Sequence, residues 1–271
     1  MLLDVPKHKK PLKRRIDLLL VEKGIAETQA KAAALVLSGR VAANSKVVTK
    51  PGTPVGEDSE LVVAGPDPFV GRGGLKLEHA LRSFGIDVTG LIVLDVGAST
   101  GGFTDCLLKH GAAKVYAVDV GKGQLDWRLR RDARVIVMEG VNARYPLELP
   151  ERMDLVTVDV SFISATKIIP PAAATLKRGG RLVVLVKPQF EGDRVDVGKG
   201  GIVRDPRIHA KVLGRFVAWM VNNGFRLLDM VASPVAGAEG NREFFVHLVS
   251  TGSGTDSREP RGKSPDPGQT S

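Results

Sequence analysis

The chain has 271 residues, of which 43% are hydrophobic and 25% charged, with a net charge of +9 and a pI of about 9.7. Its length exceeds one ordinary domain, so a core domain of about 180 residues with a small appendage is expected, and the positive balance favours a polyanionic partner. A lone Cys106 excludes an internal disulfide framework, no apolar run reaches the length of a membrane span, and the first residues, MLLDVPKHKKPLKRR, lack the apolar core of a signal peptide; a cytoplasmic location is expected.

Residues 1–12 read as a basic arm whose Lys7, Lys9 and Lys10 run on into Lys13, Arg14 and Arg15. Such a run serves equally as a solvated arm or as a binding element. A small domain is expected over 13–64. Ile16, Leu19 and Leu20 have helical spacing and Gly24 is placed to end that helix. Thr28 can cap a second helix through 30–37, closed by Gly39, after which RVAANSKVV places a turn at Asn44-Ser45 between β-prone residues. So short a segment builds only a small core and usually serves a larger partner.

This stretch resembles the RNA-binding module of the ribosomal protein S-four type, through Arg15-Ile16-Asp17, Gly24, Ala32, Ser38-Gly39-Arg40-Val41, Asn44 and Val47. The resemblance implies two short helices and a small sheet that present basic residues to structured RNA, with Arg15, Lys31 and Arg40 as contacts and Arg72 as a further one. The chain departs from the family at Thr28-Gln29, where Ser-Arg is usual. A structural cap on the larger domain is the alternative reading.

Residues 65–73 read as a linker, and 74–250 as a domain of alternating strands and helices. Its most informative stretch is LIVLDVGASTGGFT, from Leu91 to Thr104: a buried strand, a sharp glycine turn and a helix start, with Asp95 at the strand's carboxyl end, where open α/β sheets bind ligands. The spacing of Gly97, Ser99 and Gly102 does not fit the G-x-G-x-x-G of a dinucleotide site. Asp95 would repel a pyrophosphate but attract the ammonium and sulfonium of S-adenosylmethionine. The next apolar run, KVYAVDVG, ends in Asp119, placed as a ribose-hydroxyl acceptor usually is. For the loop alone, an ordinary strand-to-helix turn is an equal reading; Asp119 tips the balance towards a nucleoside cofactor.

Further strands are expected at 134–138, 154–160 and 181–187, with segments long enough for crossover helices between the first five, and a hairpin-like pair at 225–232 and 243–249. This is a doubly wound parallel sheet with an antiparallel edge, the plan of a Rossmann-like, seven-stranded S-adenosylmethionine-dependent methyltransferase domain of the α/β class, expected here after a small α+β RNA-binding domain. On that plan the cofactor set is Asp95, Gly97, Ser99, Gly101, Gly102, Phe103, Asp119, Asn142 and Asp159.

Two more strands end in reactive groups at the same edge, Asp159 in VDVSF and Lys187 in VLVKPQFE, where Pro188 breaks the strand. Lys76 in RGGLKLEHAL and Glu243 in GNREFFVHLV are, taken singly, ordinary solvated charges. As a set, Lys76, Asp159, Lys187 and Glu243 resemble the Lys-Asp-Lys-Glu tetrad of the FtsJ-like ribose 2′-O-methyltransferases. GRGGLKL, LDVGASTGGFTDCLL, DVSFIS, VKPQFE, VGKGGIVRDP and GNREFF then resemble the TlyA family, known both as hemolysin A and as rRNA cytidine-2′-O-methyltransferase, over residues 13 to 249. The resemblance implies methylation of a ribose 2′-hydroxyl in ribosomal RNA, within assembled subunits, with S-adenosylmethionine as cofactor and no metal. Glu239 neighbours the tetrad position, which falls on Glu243 because it precedes Phe244-Phe245.

Methyl transfer from a sulfonium needs an alcohol to be positioned and deprotonated. A free lysine, with a pKa of about 10.4, is no base at neutral pH, but burial and a second ammonium depress it. Lys187 is expected to be the base, with Lys76 positioning the hydroxyl and the two acids orienting the lysines. Phe162 fits a base-stacking residue as well as a core one. His79, His110, His209 and His247 show no metal-ligand spacing. The stretch from Gly192 to Gly201, with Arg194, Lys199 and Arg204 in or beside it, can close over the site or stay a surface loop. A membrane-lytic protein would need a spanning or strongly amphipathic segment, and none is found; a non-catalytic RNA-binding protein would have no need of the tetrad. The end, from 251 to 271, is expected to be disordered.

Overall fold

The structure is a computed structural model and describes residues 12–65, 68–198, 200–237 and 240–251. The expected basic arm, apart from Leu12, the expected disordered tail beyond Thr251, Lys199 and Glu239 lie outside the described residues. The chain divides into two compact units, Met1–Asp67 and Pro68–Ser271.

In the first unit, β1 (Lys13–Arg15) leads into α1 (Ile16–Glu22), and α2 (Gln29–Leu37) follows a short loop. Thr28 caps α2 as its sequence suggests, its hydroxyl accepting the N–H of Lys31 at 3.2 Å. Gly24 and Gly39 stand after the two helices at φ of 70° and 71°, a conformation with little penalty for glycine. Strands β2 (Val41–Ala43) and β3 (Lys46–Val48) turn through Asn44 and Ser45, both left-handed at φ 49° and 65°, as a two-residue hairpin requires. Two more short strands, β4 (Pro54–Gly56) and β5 (Leu61–Val63), pair with β1 and β2 respectively. Ile16, Leu20, Ala32, Val36 and Val41 are fully buried between the helices and the three-stranded sheet.

The second unit begins earlier than its sequence suggests. Residues 68–73 are not a free linker: Phe69 is buried in the core, the Val70 N–H donates to Asp105 at 2.8 Å, and Lys109 Nζ donates to the Pro68 carbonyl at 2.6 Å. The helix α3 (Arg72–Phe84) buries Gly74, Leu77, Ala80 and Leu81, a single helical stripe, and ends at Gly85 in the left-handed conformation. Then come β6 (Ile92–Val96), α4 (Gly102–Lys109), β7 (Lys114–Asp119), the one-turn α5 (Trp127–Arg130), β8 (Val135–Glu139), β9 (Met153–Val158), α6 (Ile169–Ala173), β10 (Leu176–Val186), the four-residue α7 (Pro188–Glu191), α8 (Pro206–Asn222), β11 (Phe225–Ala232) and β12 (Phe244–Ser250).

Seven strands form one sheet in the order β11-β12-β10-β9-β6-β7-β8. Two expectations need correction. No helix bridges β8 and β9, where Pro146 and Pro150 interrupt the segment. The antiparallel strand is not at the edge: β12 pairs antiparallel with both β10 and β11, so the edge strand β11 runs with the parallel set. Strand β10 also starts before its expected position, passing a register shift between Leu176 and Arg181. Helices cover both faces. Leu77 and Leu107 pack on one with Val93 and Leu185; Ile169, Phe216 and Met220 pack on the other with Leu94 and Val156. This is the doubly wound arrangement, whose crevice lies at the carboxyl ends of the parallel strands.

Candidate active site

The inversion of β12 explains how four distant residues meet. Asp159 and Lys187 follow the carboxyl ends of β9 and β10. Glu243 precedes the amino end of β12, and because β12 runs the other way that end lies at the same sheet edge. Lys76, one turn into α3, completes the set. All four line a cleft of about 580 Å³ with Gly97, Ser99 and Phe162 among its other walls, a volume within the range of about 300–1,000 Å³ usual for ligand sites.

The four residues form two ion pairs. Lys76 Nζ donates to Glu243 Oε2 at 2.6 Å, with the two side chains 12% and 3% exposed. Lys187 Nζ lies 2.6 Å from Asp159 Oδ1 and donates to Ser161 Oγ at 2.9 Å. Asp159 Oδ1 is buried and accepts no hydrogen bond, so its contact with Lys187 is ionic only. Lys187 owes its place to Pro188: the strand's hydrogen bonding ends there, and the proline starts α7 with Lys187 as its cap. Gly237 leaves room for the Glu243 carboxylate, since a Cβ there would stand 2.4 Å from Oε1.

Below this group lies the glycine turn. Gly97 has φ 86° and Gly101 φ 100°. A Cβ on Gly97 would stand 2.1 Å from the Asp159 carbonyl oxygen, and one on Gly101 2.2 Å from Leu129 Cδ1. Both glycines therefore admit neighbouring parts of the protein, and Gly97 in addition lines the cleft. Gly102 opens α4 against Gly74 of α3, where a Cβ would meet the Gly74 nitrogen at 3.0 Å. Ala98, Ser99, Thr100, Gly102 and Phe103 line the cleft; Gly101 does not.

The expected cofactor acids are placed differently from one another. Asp95 is fully buried, its oxygens accepting the hydroxyls of Thr104 at 2.7 Å and Thr157 at 2.9 Å. Burial pushes its carboxyl up to about 6, against the pull of those two hydroxyls. It forms the floor beneath the turn and does not line the cleft. Asp119 accepts the N–H of Ser99 at 2.8 Å and of Gly121 at 2.7 Å, tying the first two strand ends together. Asn142 is exposed beyond β8, its side chain accepting the Arg144 N–H at 3.1 Å. Neither is among the described residues lining the cleft.

Phe162 resolves what its sequence leaves open. It is 92% exposed, its backbone is left-handed at φ 63°, and its ring lies 5.3 Å from that of Phe190. A large residue in that conformation is strained and persists only where its surroundings enforce it. Exposure is invisible to pattern reasoning, because one aromatic after a strand reads equally as core. The buried amide of Asn241 has no local sequence signature either: Oδ1 accepts the Val203 N–H at 2.9 Å and Nδ2 donates to the Gly201 carbonyl at 2.8 Å, fastening the end of the glycine-rich loop. The start of that loop is fixed too, by Lys211 on Asp196 and Arg215 on Asp193.

The expected RNA contacts fall in two places. Arg15 pairs with buried Asp17 at 2.7 Å, Lys31 pairs with Glu27, and Arg40 donates twice to the Ala64 carbonyl, at 3.0 and 2.8 Å. Gln29, the departure from the usual pattern, donates to Asp17 at 3.1 Å and joins the starts of α1 and α2. Arg72 is exposed at the wall of the cleft. Among the described residues no helix is long and apolar enough to cross a membrane.

Fold and cleft together define a methyltransferase-type α/β domain that follows a small α+β module in the chain. The chain belongs to the FtsJ-like methyltransferase family, whose model matches residues 69–250, and an S4 domain matches residues 14–61. Within that family it groups with the TlyA proteins. It is 47% identical over 251 residues to the putative rRNA methyltransferase YqxC of Bacillus subtilis, covering 91% of this chain and 89% of that protein. To the 16S/23S rRNA (cytidine-2′-O)-methyltransferase TlyA of Mycobacterium tuberculosis it is 42% identical over 238 residues, covering 86% and 89%. A putative hemolysin from Streptococcus thermophilus has a solved structure that matches with a TM-score of 0.69 and 44% identity, over 89% of this chain and 90% of that one.

Proposed function

We propose that the protein transfers a methyl group from S-adenosylmethionine to a ribose 2′-hydroxyl, that of a cytidine in ribosomal RNA. The observation that carries the reading is the convergence of Lys76, Asp159, Lys187 and Glu243, from four separate elements, in one cleft beside the glycine turn. The residues present fit such a cofactor. Asp119 retains acceptor capacity beyond its two backbone donors, Ser99 and Thr100 line the wall, and a group of that size suits the cleft volume of about 580 Å³.

When bound, the cofactor supplies an electrophilic methyl group. Every other task falls to the chain. Lys187 Nζ, in its amine form, takes the proton of the attacking hydroxyl, while Ser161 and Asp159 fix the direction of the nitrogen. Lys76 donates to the same hydroxyl and is held in place by Glu243. Asp95 supports the turn from below, as a positioning residue. Phe162 offers a stacking face to the base next to the reacting ribose. The N-terminal unit contributes Arg15, Lys31 and Arg40, which fit phosphate contacts, and Arg72 extends such contacts to the edge of the cleft.

The membrane-lytic reading has no observation in its favour among the described residues. The test is incubation of the purified protein with S-adenosylmethionine and ribosomal subunits, followed by mass-spectrometric mapping of 2′-O-methylated nucleotides. Methyl groups at a ribose position, absent with Lys187→Ala, support the reading. Methylation on a base, or none, removes it.

A further inference from the structure

We propose that Glu191 is a positioning residue for the RNA substrate: its carboxylate pins the loop at 161–165 and so holds Phe162 outward over the cleft. The proposal rests on the reading of Phe162 as a stacking face.

Helix α7 is a single turn with Lys187 capping its start and Glu191 at its end. From that end the carboxylate reaches the loop after β9. Oε2 accepts the Ser164 hydroxyl at 2.5 Å, and Oε1 accepts the Ala165 N–H at 2.6 Å. Ser164 Oγ in turn accepts the Thr166 N–H at 3.2 Å, so the carboxylate organises the first turn of the 3-10 segment Ala165–Lys167. Short bonds from a carboxylate to a hydroxyl and an amide are the stronger, charge-assisted kind. Burial raises the Glu191 carboxyl above its ordinary value, and the two hydrogen bonds oppose that rise; a group held against its own desolvation is placed for these partners.

The segment so pinned is the one that carries the strain. Phe162 sits two residues before Ser164, left-handed at φ 63° and 92% exposed. An isolated loop would relax to an ordinary conformation and lay the ring on apolar surface. Here the loop is braced from one helix at three points: Lys187 on Ser161, Phe190 on Phe162, and Glu191 on Ser164 and Ala165. Glu191 touches neither the reacting groups nor the cleft wall. Its effect reaches substrate only through the aim of the loop.

The test compares Glu191→Leu, which removes both acceptors at similar volume, with Glu191→Gln, whose amide oxygen still accepts from Ala165 and whose NH₂ still meets Ser164. Hydrogen exchange at 161–168 is measured in the full-length protein without substrate, beside S-adenosylmethionine affinity and the kcat and KM for RNA. In Glu191→Leu, exchange at Ala165 and its neighbours rises about tenfold with the rest of the sheet unchanged. The KM for RNA rises about tenfold, the scale of one lost stacking contact, while cofactor affinity stays within about twofold. Glu191→Gln restores both. Phe162→Ala alone raises KM similarly, and the double variant is no worse than the worse single. Unchanged exchange in Glu191→Leu, or kinetic losses that multiply in the double variant, overturns the proposal. If Glu191→Leu does not fold, Ser164→Ala must show the exchange change in smaller measure, and no change there overturns it equally. If the wild-type protein methylates no RNA, the functional reading falls, and the exchange result alone decides whether Glu191 pins the loop.

Discussion

Lys76 and Glu243 stand 167 positions apart in sequence and 2.6 Å apart in space, and their contact joins α3 to the residue before the antiparallel strand β12 at the rim of the cleft, while Phe84 stacks on His247 further along the same two elements. Both members of the ion pair are largely withdrawn from water. Removal of either partner leaves a buried, uncompensated charge, which costs about 3 kcal/mol. Lys76→Met should therefore lower unfolding free energy by that order. Lys76→Met combined with Glu243→Gln should recover much of it while remaining inactive. Denaturant unfolding of the two variants measures this, and a single variant as stable as the wild type would show that the pair is not structural.

Lys187 should matter chiefly for the chemistry, although its loss leaves Asp159 Oδ1 without its ionic partner. Ser161 keeps access to solvent, and the glycine turn is untouched. Lys187→Ala is expected to lose methyl transfer by about 10²–10⁴-fold, the scale of one proton-transfer group, with cofactor affinity by calorimetry near wild type. Near-normal turnover in that variant would remove the proposed base.

Gly97→Ala separates backbone strain from collision. Gly90 has φ 74° and open space around it, so Gly90→Ala carries strain alone, about 1 kcal/mol. Gly97 has φ 86° and would set its Cβ 2.1 Å from the Asp159 carbonyl, a backbone atom that no rotamer change relieves. Gly97→Ala should cost at least about 3 kcal/mol and displace Asp159 from Lys187. Equal thermal shifts in the two variants would contradict the packing role assigned to Gly97.

The elements that repeat a simple pattern are legible in the sequence. The apolar strands, the cap at Thr28, the helix ends at Gly24 and Gly39, and the hairpin at Asn44-Ser45 all follow from local chemistry, and strand-end positions bring Asp159 and Lys187 together without any structure. What escapes is whatever depends on neighbours in space. The place of β12 inside the sheet is a matter of topology. Asp95 reads as a ligand contact because its seclusion by Thr104 and Thr157 involves a strand some sixty residues further on. Gly101 reads as a ligand cradle because Leu129, which occupies the space a Cβ would take, comes from another helix. The exposure of Phe162 depends on a brace, Glu191, that has no local signature at all.

The seclusion of Asp95 has a pH signature. Burial holds its carboxyl up at about 6, whereas the unfolded chain titrates near 3.9. Below about pH 4 both forms keep the proton; between about 4 and 6 the unfolded chain releases it first, so stability falls as pH rises and then levels off. That gap corresponds to roughly 2–3 kcal/mol. Asp17 shifts the other way: chiefly Arg15 holds it down to about 2, so its contribution is intact above about pH 4 and lost only as pH falls towards 2. Asp95→Asn should therefore gain stability over the wild type at about pH 7.5 relative to about pH 4.5. Urea unfolding at the two pH values decides it, and a constant difference between the proteins would contradict the assignment.

The two units, each with its own buried core, should divide the work. The second holds the cleft and the tetrad, while Lys13, Arg14, Arg15, Lys31 and Arg40 lie in the first. Phosphate contacts carry much of the affinity for RNA and make it strongly salt-dependent. The cut belongs before Pro68, because Phe69 is buried in the core of the second unit and Lys109 holds the Pro68 carbonyl. A chain of residues 68–271 is expected to fold, to bind S-adenosylmethionine as the whole protein does, and to lose RNA affinity by at least about tenfold at moderate salt. The slope of affinity against salt should become shallower, since fewer counterions are released. Filter binding across a salt series and methyl incorporation into purified ribosomal subunits measure both effects. Should residues 68–271 methylate the same nucleotide at the rate of the full chain, the N-terminal unit is a cap on the enzyme and not its means of finding RNA.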